Sequence, residues 1–309
     1  VSTLLLHHPS FLDHLTPPGH PERPDRVRAI DRILEHENFQ PLERDIAPMG
    51  SLEDIARAHP MSYVDQLHVL SPSEGIARVD ADTTMSPGTW EAALRGVGGA
   101  CRAVDEVVTR KVSNAFSASR PPGHHAERER AMGFCFFNNA AIAARYAQSV
   151  HGLERVAIID FDVHHGNGTQ DIFWSDPTVM YCSTHQMPLY PGSGAADETG
   201  EANTIVNVPL MPGANGTVFK EALEVAILPR LDGFEPDLVI ISAGFDAHHR
   251  DPLGGLNLTE GDFAWATRQL MNVAEKHCDG LVVSVLEGGY DLEGLARSAA
   301  AHVLTLMTG

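Results

Sequence analysis

Short apolar runs rich in β-branched residues alternate along the chain with longer stretches of helical periodicity. The runs at 114–119 (NAFSAS), 155–163 (RVAIIDFDV), 178–184 (TVMYCST), 204–210 (TIVNVPL), 237–246 (DLVIISAGFD) and 280–291 (GLVVSVLEGGYD) predict strands. Segments 22–36, 87–110, 136–149, 215–231, 259–277 and 291–307 predict amphipathic or buried helices. Ser86 and Pro87 suit the N-cap and first position of one helix, and Thr259 with Asp262 three residues later suits a capping box on another. Nearly continuous apolar strands separated by helices imply a parallel sheet covered on both faces. No repeat, low-complexity tract or linker interrupts the pattern, so residues 1–309 read as a single α/β domain.

Chemically capable side chains gather where these strands end. His124 and His125 follow the run at 114–119; Asp160, Asp162 and His164 close the run at 155–163. Asp246 ends "LVIISAGFD", and Glu287 to Tyr290 follow "VVSVL". Open parallel sheets bind ligands beyond the carboxyl ends of their strands, so these four groups should converge.

Composition narrows the classes. A formal charge of −19 opposes sequence-independent nucleic-acid binding, which needs cations against phosphate. It suits a cationic substrate, although solubility alone explains it equally well. No apolar run approaches ~20 residues, which opposes a membrane-spanning helix. The opening VSTLLLHHPSFLDHL lacks the basic leader and long apolar core of a signal peptide. Cys101, Cys135, Cys182 and Cys278 lie far apart, which points to reduced thiols and a cytoplasmic location.

In an extended segment Asp160, Asp162 and His164 would share one side. Two ligands from such a tip and a third from a distant strand make a catalytic metal site with an open position, and Asp246 is the natural third. Two carboxylates and an imidazole suit zinc best, with ferrous iron or manganese as alternatives. Hydrolysis also needs a base for water and an acid for a leaving amine, roles open to His124 and His125 behind their stiff Pro-Pro-Gly entry. Asp160 and Asn167 are suitable partners for their outer nitrogens; an anionic partner raises a histidine's pKa more than an amide does, so the two rings should differ in basicity. His7-His8, His164-His165 and His248-His249 show that a doublet alone is a weak signal. Tyr290, after two glycines, could donate to the oxyanion of a tetrahedral intermediate.

RPPGHH, GFCFFNN, DFDVHHGNGTQ, SAGFDAHHRDPLGG and EGGYD closely resemble the motifs of the zinc-dependent histone deacetylase superfamily, nearest its class II branch and the bacterial histone deacetylase-like amidohydrolases. GHPERPDRVRAI at 19–30 resembles that branch too. The resemblance implies the arginase–deacetylase fold, a single domain around a central eight-stranded parallel sheet flanked by helices. It implies a zinc amidohydrolase acting on acyl-lysine in peptides or proteins, with an acetylpolyamine amidohydrolase as the near alternative and a non-catalytic, metal-bearing acyl-lysine binder as one of another class. A binuclear manganese hydrolase of the arginase type would need a second Asp two residues after Asp246, where His248 stands.

By the same resemblance, one zinc is held by Asp162, His164 and Asp246, His124 and His125 form the acid–base pair with Asp160 and Asn167 behind them, and Tyr290 polarises the carbonyl. Gly133 and Phe134 line the acyl-lysine channel opposite Tyr190, where many relatives carry Phe. One potassium site maps to Asp160, Asp162, His164, Ser183 and Thr184, and a second to Phe173, Asp176, Val179 and Thr204. Arg26 matches the arginine facing an internal acetate-exit cavity, and Leu253 matches a rim position that is glutamate in some polyamine-acting relatives. No membrane or nucleic-acid partner is implied, and self-association into a homo-oligomer is compatible with the pattern.

Overall fold

The computed structural model describes residues 1–309. In chain order its strands are β1 (Thr3–His7), β2 (Glu43–Ile46), β3 (Ala77–Arg78), β4 (Thr84–Met85), β5 (Asn114–Ser117), β6 (Val156–Asp160), β7 (Val179–Gln186), β8 (Ile205–Leu210), β9 (Leu238–Ala243) and β10 (Val282–Leu286). Eight of them form one sheet in the order β2-β1-β5-β10-β9-β6-β7-β8, every pairing parallel. Strands β3 and β4 form a separate antiparallel ribbon.

The helices are α1 (Asp25–Ile33), α2 (Leu52–Ala56), α3 (Met61–Leu70), α4 (Thr89–Val108), α5 (Asn139–His151), α6 (Asn167–Phe173), α7 (Gly216–Ala222), α8 (Leu228–Phe234), α9 (Glu260–Cys278) and α10 (Leu292–Thr308). Helix α4 packs on α5, and α10 packs on α1 and α9. A contiguous cluster of 76 buried apolar residues joins sheet and helices, with a small satellite of Phe11, Val27, Ala47 and Ala92 beside it.

All six expected strands and six expected helices are present, with altered limits. Helix α4 starts at Thr89 with Gly88 as its cap, not at Pro87 behind Ser86. The Thr89 hydroxyl accepts the Ser86 amide N–H, which closes a turn ahead of the helix. The expected box at α9 is made: the Asp262 carboxylate accepts from the amide and hydroxyl of Thr259. The segment at 215–231 extends to Phe234 with a π turn at Leu223–Ile227 between α7 and α8. Pro229 lies in the first turn of α8 and has no N–H to give, so the hydrogen-bond register slips ahead of it.

Two strands of the sheet lay outside the apolar runs singled out in the sequence. Strand β1 is a buried TLLLH run near the start, and β2 (ERDI) is an edge strand whose four residues are all exposed. An edge with charged side chains is protected against further pairing and leaves no apolar signature.

Candidate active site

Four adjacent central strands, β5, β10, β9 and β6, deliver the site. Their carboxyl ends feed His124-His125, the Glu287–Tyr290 loop, Asp246 and Asp160–His164 respectively. The expected convergence is therefore a property of strand order.

Asp162, His164 and Asp246 place one donor atom each within 4.8 Å of one another, all buried. They meet through turn bonds rather than the extended alternation expected from sequence, because β6 ends at Asp160. Beyond it, the Asp162 Oδ1 accepts the His164 amide at 2.9 Å and Oδ2 accepts the Gly288 amide at 2.8 Å. Asp246 Oδ1 accepts the Val163 amide at 2.8 Å. Each carboxylate is thus aimed by backbone N–H groups, and Asp162 Oδ1 and Asp246 Oδ2 each lie 3.1 Å from His164 Nδ1. Any side chain at Gly288 would collide with both carboxylates, so that glycine admits the approach of two strand ends.

The electrostatics call for a cation. Burial and the neighbouring Asp162 push Asp246 up to about 7. Burial also pushes on Asp162, but His124 and His164 outweigh it and hold that carboxyl well below its usual range. Burial would lower His164, yet its bonds to the two carboxylates hold it at about 10. A proton on that imidazole substitutes for the positive charge that two carboxylates and a nitrogen offer to a divalent metal, and the donor set fits zinc.

The histidine doublet is held from behind. Glu287 Oε2 accepts the amides of Gly123 (2.7 Å) and His124 (3.0 Å), while its Oε1 accepts the Ser242 hydroxyl at 3.0 Å. Burial raises Glu287 to about 7, opposed by His124. His124 Nδ1 lies 2.9 Å from Asp160 Oδ2, and His125 Nδ1 lies 2.8 Å from Asn167 Oδ1, as the sequence suggested. Both rings are buried, but burial decides the outcome for only one of them. It carries His125 well below 6.5, helped by His124 and His164, whereas Asp160, Asp162 and Glu287 overcome it and carry His124 well above. The pair is electrostatically divided.

A cavity of about 250 Å³ opens onto these groups. Gly133, Phe134, Tyr190, Leu253 and Tyr290 line it with His125 and His164, and Asp82 and Leu189 complete the wall. The Tyr190 ring stands edge-on to His125 at 5.2 Å, and Phe134 meets Tyr290 at 5.8 Å. Phe134 takes a left-handed backbone (φ 69°), with its amide donating to the Thr83 hydroxyl at 3.0 Å. A larger groove of about 430 Å³ between α1 and α10 holds only Asp25, Arg28, Arg32 and Glu293 as charged groups and shares no residue with the cavity at the imidazoles.

Arg26 is fully buried beneath Tyr290, its guanidinium 4.9 Å from the ring. It donates to the carbonyls of Gly289 (2.6 Å) and Glu287 (2.5 Å) and to Glu22 (3.0 Å). Its donors therefore brace the tyrosine loop. Burial raises the Tyr290 hydroxyl well above 10, opposed by Arg26, so the phenol keeps its proton as a donor.

Of the residues expected to hold a first potassium, Asp160 and Ser183 pair directly in the β6–β7 register. The main-chain carbonyls of Asp162 and His164 accept no hydrogen bond from the protein, which fits oxygen donation to a monovalent cation. At the second position, Thr204 donates to the Asp176 carbonyl at 3.0 Å, and Asp176 N–H donates to Phe173 O at 3.1 Å. The Asp176 carboxylate is already engaged by Thr178 and Arg145, and β7 starts alongside at Val179.

Sequence reasoning missed Glu22 and Arg120, a buried ion pair under the site, and Asp251, which accepts from the amides of Leu253, Tyr290 and Asp291. The i,i+4 spacing of Glu22 and Arg26 was the available clue to the first.

Residues 20–306 match the histone deacetylase domain family. A "Probable deacetylase" of Archaeoglobus fulgidus is 40% identical over 99% of this chain and 86% of that protein. A "Histone deacetylase-like amidohydrolase" of Pseudomonas aeruginosa is 39% identical over 88% of this chain and 73% of its own. The crystal structure of the HDA15 HD domain superposes with a TM-score of 0.94 at 36% identity, covering 99% of this chain and 90% of that one. With the eight-stranded parallel sheet and the Asp-His-Asp cluster at its carboxyl edge, these similarities establish that the chain belongs to the histone deacetylase family of deacetylases and amidohydrolases.

Proposed function

We propose that residues 1–309 act as one catalytic domain, a zinc-dependent amidohydrolase that removes acetyl or related acyl groups from lysine in peptides or proteins. The observation carrying this reading is the placement of the Asp162–His164–Asp246 cluster and an unequal histidine pair on a narrow cavity walled by Phe134, Tyr190 and Leu253. An extended aliphatic chain with a terminal amide matches such walls. Asp162, His164 and Asp246 would hold zinc, which would supply Lewis-acid polarisation of the amide carbonyl. His124 and His125 share the proton traffic, one taking the proton of the attacking water and one protonating the departing amine. Tyr290 donates its hydroxyl proton to the oxyanion as charge develops there. Asp160 and Asn167 hold the outer imidazole nitrogens, and Gly133 with Phe134 forms one wall.

Potassium bound near Asp160, Asp162, His164, Ser183 and Thr184 would steady the metal-bearing turn, with a second ion at Phe173, Asp176, Val179 and Thr204 supported less by the carboxylate's existing partners. The proposed partner is an acyl-lysine peptide or protein, with no direct nucleic-acid partner, a reading that the charge of −19 supports, and no membrane partner; no helix is long and apolar enough to cross a membrane. Four free, buried cysteines suit a reducing compartment such as the cytoplasm.

The acetylpolyamine alternative has one specific support. Asp82 lines the cavity, where a carboxylate can meet an ammonium as well as a peptide N–H. The deciding experiment compares kcat/KM for acyl-lysine peptides and N-acetylated polyamines, with zinc content measured alongside. Preference for the peptides is expected; preference for the polyamine would overturn the substrate assignment.

A further inference from the structure

The two imidazoles of the doublet are held by different kinds of partner. Asp160 presents a carboxylate to His124, and a carboxylate accepts whichever way its oxygens turn. Asn167 presents an amide to His125, and an amide has an accepting end and a donating end. Something must decide which end faces the ring. If Oδ1 faces it, His125 carries its proton on Nδ1 and keeps a lone pair on Nε2. If Nδ2 faces it, the proton moves to Nε2 and the ring can no longer accept one there.

The far side of the amide supplies the decision. Asn167 Nδ2 lies 2.7 Å from Glu127 Oε1 and 3.3 Å from Met132 Sδ. Both are acceptors with no proton to give. A reversed amide would set its oxygen against a carboxylate and a thioether, neither of which has a proton to give it. Glu127 is itself held. Its amide donates to Arg130 O at 3.0 Å, and the next amide, of Arg128, donates to the carboxylate of Asp171 in α6, the helix that Asn167 opens. The Arg128–Asp171 bond ties the turn to the helix, and Glu127 borders a groove open to solvent, outside the catalytic cavity.

We infer that Glu127 is a positioning residue that fixes the orientation of the Asn167 amide and, through it, the tautomer of His125. This rests on the proposed acid–base role of the doublet, so the experiment reads tautomer and turnover separately. The zinc-loaded full chain, labelled with ¹⁵N-histidine, is examined by long-range ¹H–¹⁵N correlation, which distinguishes protonated from unprotonated ring nitrogens; His125 is assigned by the signal lost in His125→Gln. Native protein should show His125 protonated on Nδ1. Glu127→Gln, whose carbonyl can still accept from Asn167, should keep that tautomer and most of the turnover. Glu127→Lys offers only donors, so the amide should reverse, His125 should carry its proton on Nε2, and kcat should fall by about 10²-fold with KM little changed. If the lysine variant does not fold, Glu127→Leu carries the test, with mixed tautomers and a fall of about tenfold expected.

His125 remaining protonated on Nδ1 in Glu127→Lys and Glu127→Leu would overturn the inference. A switched tautomer with native kcat would leave the positioning intact and refute the acid–base role of His125 instead.

Discussion

His302 and His124 are both fully enclosed and both lie against the same sheet, yet they face opposite chemical demands. His302, on α10, packs among the rings of Phe116, Phe161 and Phe245 and bonds only to the hydroxyls of Thr267 and Ser284. Burial drives it down to about 3. His124, at the strand ends, faces Asp160, Asp162 and Glu287 and is driven well above 6.5 despite equal burial. The partner, and not the depth, decides whether an imidazole is charged. At His302 the body of the sheet meets the ring with neutral hydroxyls on both nitrogens. The carboxyl edge instead concentrates four buried carboxylates, Asp160, Asp162, Asp246 and Glu287, a surplus that suits a bound cation.

The largest expected effect comes from breaking that surplus. Asp246→Ala removes a proposed ligand at a strand-end loop and leaves the apolar side chains beside it, Phe245 and Ala247, in place, so the fold should survive while bound zinc and nearly all deacylation disappear. Stoichiometric zinc in the variant would refute the ligand assignment. Next comes Tyr290→Phe, which deletes one hydroxyl and keeps the ring. Turnover should fall by ~10²–10³-fold, about 3–4 kcal/mol, with zinc content and peptide affinity little changed. Unchanged turnover would make the tyrosine structural.

The sheet body should respond to acid instead. His302 titrates near 6.5 when unfolded and about 3 when folded, so below pH 6.5 the unfolded chain binds the extra proton and stability falls as pH drops. Between pH 6.5 and 5 this amounts to about 2 kcal/mol. Urea unfolding at both pH values should show a smaller loss in His302→Gln, and an identical loss would mean the folded protein already accommodates the proton. The smallest effect is at the rim. Leu253→Glu should move the ratio of kcat/KM values toward acetylpolyamine by about tenfold, roughly 1.4 kcal/mol, when both substrates are assayed at one ionic strength. An unmoved ratio would remove Leu253 from specificity.

Much of this was legible in the chain itself, for physical reasons. Apolar runs marked six of the eight strands, and because ligands of parallel sheets sit at strand carboxyl ends, the residues following those runs marked the site. Strand β2 was silent because an exposed edge needs no apolar face. Asp162 and His164 do meet, but not by the extended alternation expected, since β6 stops at Asp160 and backbone amides aim the Asp162 carboxylate instead. Glu22 and Arg120 stayed hidden because 98 positions separate them, and no local period encodes such a contact. Glu127 stood two residues past the doublet in plain view, but its meaning depends on which end of the Asn167 amide it touches.

The most direct test is metal removal and return. Native protein stripped by a chelator should lose turnover of an acetyl-lysine peptide and regain it in proportion to added zinc, saturating at one ion per chain. Turnover that survives stripping, or saturation that requires two divalent ions, would contradict a single zinc held by Asp162, His164 and Asp246.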